Sequence, residues 1–219
     1  MTKHFDRDLA SLSDKTSALG NLVVNASDKS IVMLQNFDLI LANEILDAER
    51  QINEMEVEIE EECLKILALH QPVATDLRFL ITVLKVNNDL ERMGDQVVNI
   101  AERVKFIADK ERVVVDLDFH KMGQISSNMV RKALHALFQQ DAEEAREVLT
   151  MDDDLDVLHA LSFTQLEKVM KEHPEWIVPA VSYITISSNL ERIGDLATNI
   201  AEDIIFMEEG EVIRHQNTV

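Results

Sequence analysis

An internal repeat is the feature that most limits what this chain can fold into. The segment LERMGDQVVNIAE at residues 90–102 returns as LERIGDLATNIAE at residues 190–202, and nine of the thirteen positions are identical. Average amino-acid usage gives about one chance match, at roughly one in sixteen per position. The 219-residue chain is therefore an internal duplication, and the fold of one half should return in the other.

Apolar side chains recur at spacings of three and four over long stretches of both halves, which is typical of amphipathic α-helices. The pattern predicts six helices: residues 5–37, a second run ending near 70, a third from about 72 to 104, a fourth carrying 122–136, a fifth over 142–171, and a sixth ending near 208. We expect Gln71-Pro72 to stop the second helix and Pro72 to open the third. Residues 174–179 should turn the chain, and the tail 213–219 should fray.

These helices predict an all-α fold. Five glycines and three prolines fall well below the roughly 12% of average usage, which excludes a turn-rich all-β fold. Three long helices joined by short loops pack as an antiparallel bundle. We therefore predict two tandem antiparallel three-helix bundles related by duplication, with residues 1–112 forming the first and residues 113–219 the second.

The charge balance limits the partners. The chain has 41 Asp and Glu against 21 Lys and Arg, a net charge of -20. Such a surface repels nucleic acid and anionic lipid and concentrates cations. Cys63 is the single cysteine, so no internal disulfide forms and a reducing cytoplasm is expected. No signal peptide or membrane span is visible in the sequence, so any membrane association is expected to be peripheral, through a protein partner.

The polar residues retained in both repeats predict a site. They are Glu91, Arg92, Asp95, Asn99 and Glu102 in the first copy, and Glu191, Arg192, Asp195, Asn199 and Glu202 in the second. At about 100° per residue, positions 91, 95, 99 and 102 fall within an arc of roughly 80° on one helix face. Facing stripes are offered by the second and fifth helices: Glu49, Asn53, Glu56 and Glu60, and Asp152, Asp156 and the further candidate His159.

Carboxylates held close together repel one another, and a bound cation would relieve that repulsion. Oxygen ligands suit hard divalent or trivalent ions, with iron or manganese favoured and magnesium, calcium or zinc as alternatives. Gly94 and Gly194 should allow the helices to approach closely. Two other interpretations stay open, a solvated helix surface without a site and a carboxylate-bridged metalloenzyme. No nucleophile, phosphate-loop or zinc-protease motif occurs, so we expect no catalytic residues.

The sequence resembles the PhoU family over essentially its whole length. The resemblance rests on the paired LERxGDxxxNIAE segments, QPVATDLR at 71–78, INEMEVEIEE at 52–61 and FDRDL at 5–9. It implies two similar three-helix bundles and a cytoplasmic negative regulator of phosphate uptake. Such a regulator links the ATPase subunit of a phosphate ABC transporter to the sensor histidine kinase of the phosphate-starvation response, and no catalytic turnover is implied.

The resemblance also implies metal clusters held by Glu/Asp-x-x-x-Asp pairs on two helices of each bundle. By position, the ligands are Glu49, Asn53, Glu91 and Asp95 in the first bundle, and Asp152, Asp156, Glu191 and Asp195 in the second. Asn99, Glu102, Asn199 and Glu202 are candidates for further ligands or for supporting contacts. Asn53 replaces an expected Asp, so the first site should be weaker.

A partner surface is predicted in the first bundle alone. The candidate residues are Gln71, Pro72, Asp76 and Arg78 of QPVATDLR, whereas the second half has EWIVPAVS in the corresponding place. Partner binding should therefore differ between the halves. Exposed apolar residues on the long helices also favour a homodimer.

Overall fold

Six long α-helices make up most of the computed structural model, which describes residues 3–110, 113, 115 and 117–210. They are α1 (Lys3–Asn36), α2 (Ile40–His70), α3 (Ala74–Ile107), α4 (Phe119–Gln139), α5 (Ala142–Glu172) and α6 (Ile177–Glu209), with a 3₁₀ turn at Pro174–Trp176 before α6. The described residues contain no β-strand. The predicted all-α fold of six helices is confirmed.

The helix ends follow local chemistry. The N–H of Gln71, in the left-handed conformation at φ 47°, donates to the carbonyl of Leu67 and closes α2. At the start of α5 the Asp141 carboxylate accepts from two backbone N–H groups at 3.0 Å, and Asp118 caps α4 in the same manner. One residue thereby defines each of these three helix ends.

Two details of the predicted connections are wrong. Pro72 lies in the link before α3 and does not open that helix, which begins at Ala74. Pro179 belongs to the first turn of α6, where backbone N–H groups have no partner within the helix and proline is tolerated. The turn of the chain is therefore limited to residues 173–176. The tail 213–219 lies outside the described residues. The predicted boundary between 112 and 113 falls in the connection from α3 to α4 and stays a prediction.

Each half forms its own three-helix bundle, and the bundles join through two of their helices. Helices α1, α2 and α3 pack on one another, as do α4, α5 and α6, while α1 packs on α4 and α3 on α6. Within the described part of the chain, α2 and α5 contact only their own half. The buried apolar residues of both halves form one continuous core. No helix in the described ranges is long and apolar enough to span a membrane.

The contact between α1 and α4 is reciprocal, as in a two-fold interface. Gly20 lies against the side chain of Leu134, and Gly123 lies against that of Ile31. The two glycines are 103 positions apart, and so are Ile31 and Leu134. Asp28 and Arg131, which are also 103 positions apart, form an ion pair across this contact. The hydroxyl of Ser127 donates to Asp28 at 2.9 Å. The duplication therefore packs like a dimer made within one chain.

Antiparallel packing of α3 on α6 gives the second contact between the halves. The ammonium of Lys85 donates to the carboxylate of Asp203 at 2.9 Å, and Asp203 is 2% exposed. Near the start of α3, Arg78 Nε donates to the carbonyl of Met207 at 2.9 Å. These charge-assisted bonds hold the two inner helices in register.

The glycine contacts predict that Gly123→Ala changes the free energy of unfolding in opposite directions, depending on the residue at position 31. A Cβ on Gly123 would lie 2.2 Å from Cδ1 and 2.4 Å from Cγ1 of Ile31. We expect Gly123→Ala to lower the free energy of unfolding by about 1–2 kcal/mol, because overpacking outweighs the gain of roughly 1 kcal/mol in helix propensity. In an Ile31→Ala background these side-chain atoms are absent, so Gly123→Ala should raise the free energy of unfolding relative to Ile31→Ala alone. Urea unfolding of the four variants checks this, and equal effects in both backgrounds would contradict the close approach.

Two acidic grooves as the candidate functional site

An antiparallel register between an outer and an inner helix builds a groove in each half. In the first half Asn87 Nδ2 donates to the carbonyl of Glu56 at 2.8 Å, so residue 56 of α2 lies opposite residue 87 of α3. In the second half His159 Nδ1 lies 2.9 Å from Ser187 Oγ, which pairs α5 with α6 in the same way. One and two turns further along, helical spacing brings the acidic residues opposite one another.

We define the two grooves by these opposed residues. The first acidic groove consists of Glu49, Asn53, Glu56, Glu91 and Asp95. The second acidic groove consists of Asp152, Asp156, His159, Glu191 and Asp195. The eight predicted metal ligands lie in these grooves, four in each, beside Glu56 and His159 of the predicted facing stripes.

Gly194 allows the closest approach in the second acidic groove. A Cβ at this position would lie 2.4 Å from Leu155 Cδ2 and 3.3 Å from Asp152 Oδ1. At the matching place in the first half, Gly94 faces the side chain of Ile52 and no carboxylate. The expected role of the glycines therefore holds directly for Asp152, whereas Gly94 serves apolar packing.

Burial and like charge dominate the second acidic groove. Burial and, to a smaller extent, the carboxylates of Asp156, Asp195 and Glu191 together raise the pKa of Asp152 to about 7. The Oδ1 atom of Asp152 is buried and has no hydrogen-bond partner. The pKa values of Glu191 and Asp195 are also raised, chiefly by burial, while His159 opposes the shift. Arg192 also opposes the shift, but the four carboxylates outnumber the positive charge near this groove.

The first acidic groove is less buried but has the same sign. Burial raises the pKa of Glu91, and Asp95 and Glu56 add to the shift. Burial and then Glu49 raise the pKa of Asp95. The amide of Asn53 donates to Glu49 at 3.1 Å, so Asn53 supports that carboxylate without adding charge to the groove. Glu56 supplies a fourth carboxylate that the pairwise motif does not include.

The donors fit a hard cation in chemistry but do not form a finished coordination shell. Carboxylate oxygens predominate in both grooves, and the unpartnered oxygen of Asp152 is free to accept a ligand bond. Among the described residues, however, no three carboxylate, imidazole or thiol side chains lie close enough to hold one metal ion together. Binding of an ion in either groove would require side chains to turn toward each other.

The four further candidates lie elsewhere along the same helices. Asn99 and Glu102 are exposed on α3, and Glu202 is half-buried on α6. Asn199 lines a cavity of about 450 Å³ between α3 and α6, together with Lys85 and Arg92. Asn199 thus faces the contact between the two halves and not the second acidic groove.

The predicted partner surface is divided among several environments. Gln71 is exposed at the end of α2, and Pro72 is half-buried in the following link. Asp76 lines a cavity beside α1. Arg78 is held by the carbonyl of Met207, so its role within the chain is to join α3 to α6.

Two residues that position the grooves were missed. Asn87 and Ser187 each lie one turn before the first acidic residue of the repeated segment and face the outer helix. A spacing of four from Glu91 and from Glu191 was the available signal. It was weak because the two residues differ in type, and one binds a backbone carbonyl while the other contacts an imidazole.

The pKa of Asp152 predicts that stability falls as pH rises. The folded state holds a proton on Asp152 up to about pH 7, whereas the unfolded chain releases it near 3.8. Folding is therefore favoured at low pH by this group, and the advantage is lost as pH rises through the folded pKa. In chelator-treated protein, the free energy of unfolding from urea titrations should depend less on pH between 5 and 8 in Asp152→Asn than in the wild type. At pH 8 the variant should be the more stable of the two. Asp154→Asn, an exposed control, should follow the wild type, and parallel profiles for all three would contradict the shift.

Comparison with known proteins places both halves in one family. The PhoU domain profile matches residues 16–104 and 119–204. A Pseudomonas putida protein named phosphate-specific transport system accessory protein PhoU homolog is 35% identical over 216 residues, covering 98% of this chain and 84% of that protein. A Streptococcus pneumoniae protein of the same name is 30% identical over 97% of this chain and 99% of its own length.

Solved structures agree with the sequence comparison. The crystal structure of PhoU from Pseudomonas aeruginosa superposes with a TM-score of 0.91 at 34% identity, over 94% of this chain and 100% of that chain. The phosphate transport system regulatory protein PhoU from Streptococcus pneumoniae gives a TM-score of 0.88 at 32% identity, over 95% and 99% of the two chains. The resemblance seen in the sequence is confirmed, and the chain belongs to the PhoU family.

Proposed function

We propose that this chain is a negative regulator of phosphate uptake and of the phosphate-starvation response. It acts as an adaptor between the ATPase subunit of a phosphate ABC transporter and a sensor histidine kinase. The observation that carries the proposal is the match across almost the full length of relatives named as accessory or regulatory proteins of phosphate transport. An accessory protein that works by contact needs binding surfaces more than a catalytic centre.

The placement of the outer helices supports an adaptor. Because α2 and α5 contact only their own halves in the described structure, each has an outward face. Val57 and Leu64 are more than half exposed on α2, as are Val157 and Leu161 on α5. Exposed apolar residues of this kind mark protein contact sites when they group on one face. Two such helices on different halves suit two partners, or one partner and a second copy in a homodimer.

Charge and location complete the proposal. The net charge of -20 disfavours nucleic acid and anionic lipid, so contact with the membrane is proposed to run through the transporter. We place the protein in the cytoplasm, where an ATPase subunit and the kinase's catalytic part are reached.

A deletion strain tests the regulatory role. Removing the gene should raise phosphatase expression in phosphate-replete medium, because the kinase is no longer held inactive, and should change phosphate uptake. Reporter activity and radiolabelled phosphate uptake measure the two effects, with the wild-type gene returned as the control. Unchanged expression and unchanged uptake would contradict the proposed function.

Metal binding in the two acidic grooves is a second part of the proposal. Its support is the raised pKa of the groove carboxylates and the unpartnered oxygen of Asp152. A cation would supply the positive charge that these carboxylates lack, with iron or manganese favoured over magnesium, calcium or zinc. In the second groove Asp152, Asp156, Glu191 and Asp195 would hold it, and Asp152 would give up its proton.

Paired variants separate the two grooves. Asp152→Asn with Asp195→Asn should abolish Mn²⁺ binding in the second acidic groove, and Glu91→Gln with Asp95→Asn should abolish it in the first. Calorimetry and metal analysis measure the number of sites that remain. Asn53→Asp should tighten binding in the first acidic groove by about tenfold, since it adds a charged ligand. Asp47→Asn with Asp154→Asn is the control for charge.

Two results would count against this metal proposal. Unchanged stoichiometry in both groove variants would show that the grooves are solvated surfaces. Turnover of oxygen or phosphoesters by the metal-loaded protein would instead favour a metalloenzyme, which needs an open coordination position.

A further inference from the structure

A cavity of about 480 Å³ lies where the first part of α1, the start of α3 and the end of α4 meet. It is separate from both acidic grooves, which lie between outer and inner helices of a single half. Its size falls within the range of roughly 300–1,000 Å³ typical of binding sites. Its apolar lining is Leu9, Phe79, Leu137 and Phe138, and its carboxylates are Asp14 and Asp76.

The charge of this cavity is negative and locally uncompensated. Neither Asp14 nor Asp76 forms an ion pair within the described residues, and no Lys or Arg lines the cavity there. The neighbouring cations are turned elsewhere: Lys15 lies 3.8 Å from Glu58 on α2, and Arg78 donates to the carbonyl of Met207 on α6. A cationic side chain from outside would therefore meet two carboxylates.

The second half does not repeat this cavity. Leu34 of the first half corresponds to Leu137 of the second, and the cavity beside Leu34 measures only about 220 Å³. Its lining among the described residues includes Val113, Val115 and Leu117, with Asp118 as its single carboxylate and His120 beside it. There the described residues before α4, at positions 113, 115, 117 and 118, are not helical, whereas α1 is already helical from Lys3. The large acidic cavity is thus a property of one half and not a by-product of the repeated fold.

Polar side chains around the carboxylates complete the lining. Ser13, Ser17 and Thr75 place hydroxyl groups at the same cavity, where they can accept from or donate to a bound group. An apolar floor beside an acidic wall fits an amphipathic occupant that combines hydrocarbon with positive charge. It does not fit phosphate or an acidic peptide, which the two carboxylates would repel.

We propose that this cavity is the docking site for a segment of a partner protein that carries a Lys or Arg flanked by large apolar side chains. The inference rests on the adaptor function proposed above and assigns one of its contacts to the first half. The cation pairs with Asp14 and Asp76, and the flanking side chains cover Phe79 and Phe138. Asp76 thereby becomes the member of the predicted partner surface that reaches the partner.

Site-specific photo-crosslinking in cells tests the docking site with the full chain. Ala10 is exposed and lines the cavity, whereas the adjacent Ser11 is exposed and does not. With benzoylphenylalanine at position 10, we expect at least about tenfold more crosslinked product than at position 11, with both yields read by mass spectrometry. The crosslinked peptide should contain Lys or Arg next to apolar residues. Asp14→Asn with Asp76→Asn should reduce the yield at least about fivefold, and Asp47→Asn with Asp154→Asn should not.

Several results would overturn the inference. These are equal yields at the two positions, a crosslinked segment without a cation, a second copy of this chain as the product, or a yield unaffected by the two Asp14 and Asp76 changes. Spermidine protection without any peptide crosslink would show a small-cation site instead and would also overturn it.

A signalling assay keeps this inference separate from the proposed function. Ala10→Trp should fill the cavity and derepress phosphatase expression, while Ser11→Trp should not. Circular dichroism and thermal unfolding confirm that both variants fold. If deletion of the gene has no effect, the adaptor function fails. If deletion derepresses expression but the two tryptophan variants behave alike, only the docking site fails.

Discussion

The close approach of α1 and α4 decides how the rest of the molecule is arranged. Gly20 and Gly123 let the two helices meet at side-chain contact with Leu134 and Ile31, and the interface is reciprocal because both pairs come from equivalent positions. With α3 packed on α6 beside it, four helices form the centre and α2 and α5 are left outside. Each acidic groove therefore lies between a central and an outer helix, where solvent and ions can reach it.

Repulsion within the grooves has a different solution in each half. In the second, burial and neighbouring carboxylates leave Asp152 protonated up to about pH 7, and His159 offsets part of the charge. In the first, the amide of Asn53 replaces a carboxylate, but Glu56 restores the count of four. The substitution at position 53 therefore removes less negative charge than the motif alone indicates. The two grooves differ in burial, which is greater in the second, and in the imidazole of His159.

Periodicity and the repeat were enough to predict the six helices, the duplication and the pairing of acidic stripes, because these depend on spacing within one or two neighbouring helices. Contacts between the halves were not predictable in this way. The ion pair of Asp28 with Arg131 joins different helices, and no spacing within either one encodes it. Arg78 was predicted at a partner surface because it belongs to QPVATDLR, which the second half lacks. Its bond to Met207 was not predictable, since it depends on how α3 meets α6. Asn199 likewise faces that contact.

Duplication also frees equivalent positions to diverge. At the two-fold contact an ancestral pair of identical residues would bring like charges together, whereas Asp28 and Arg131 attract. Divergence has also made the start of the first half different from the start of the second. The first half extends α1 as a helix to residue 3 and encloses an acidic cavity, while the second half places Val113 and Leu117 in the corresponding region. A chain whose halves share a core but differ at their surfaces can present distinct faces to distinct partners, which a symmetric homodimer of one bundle could not do.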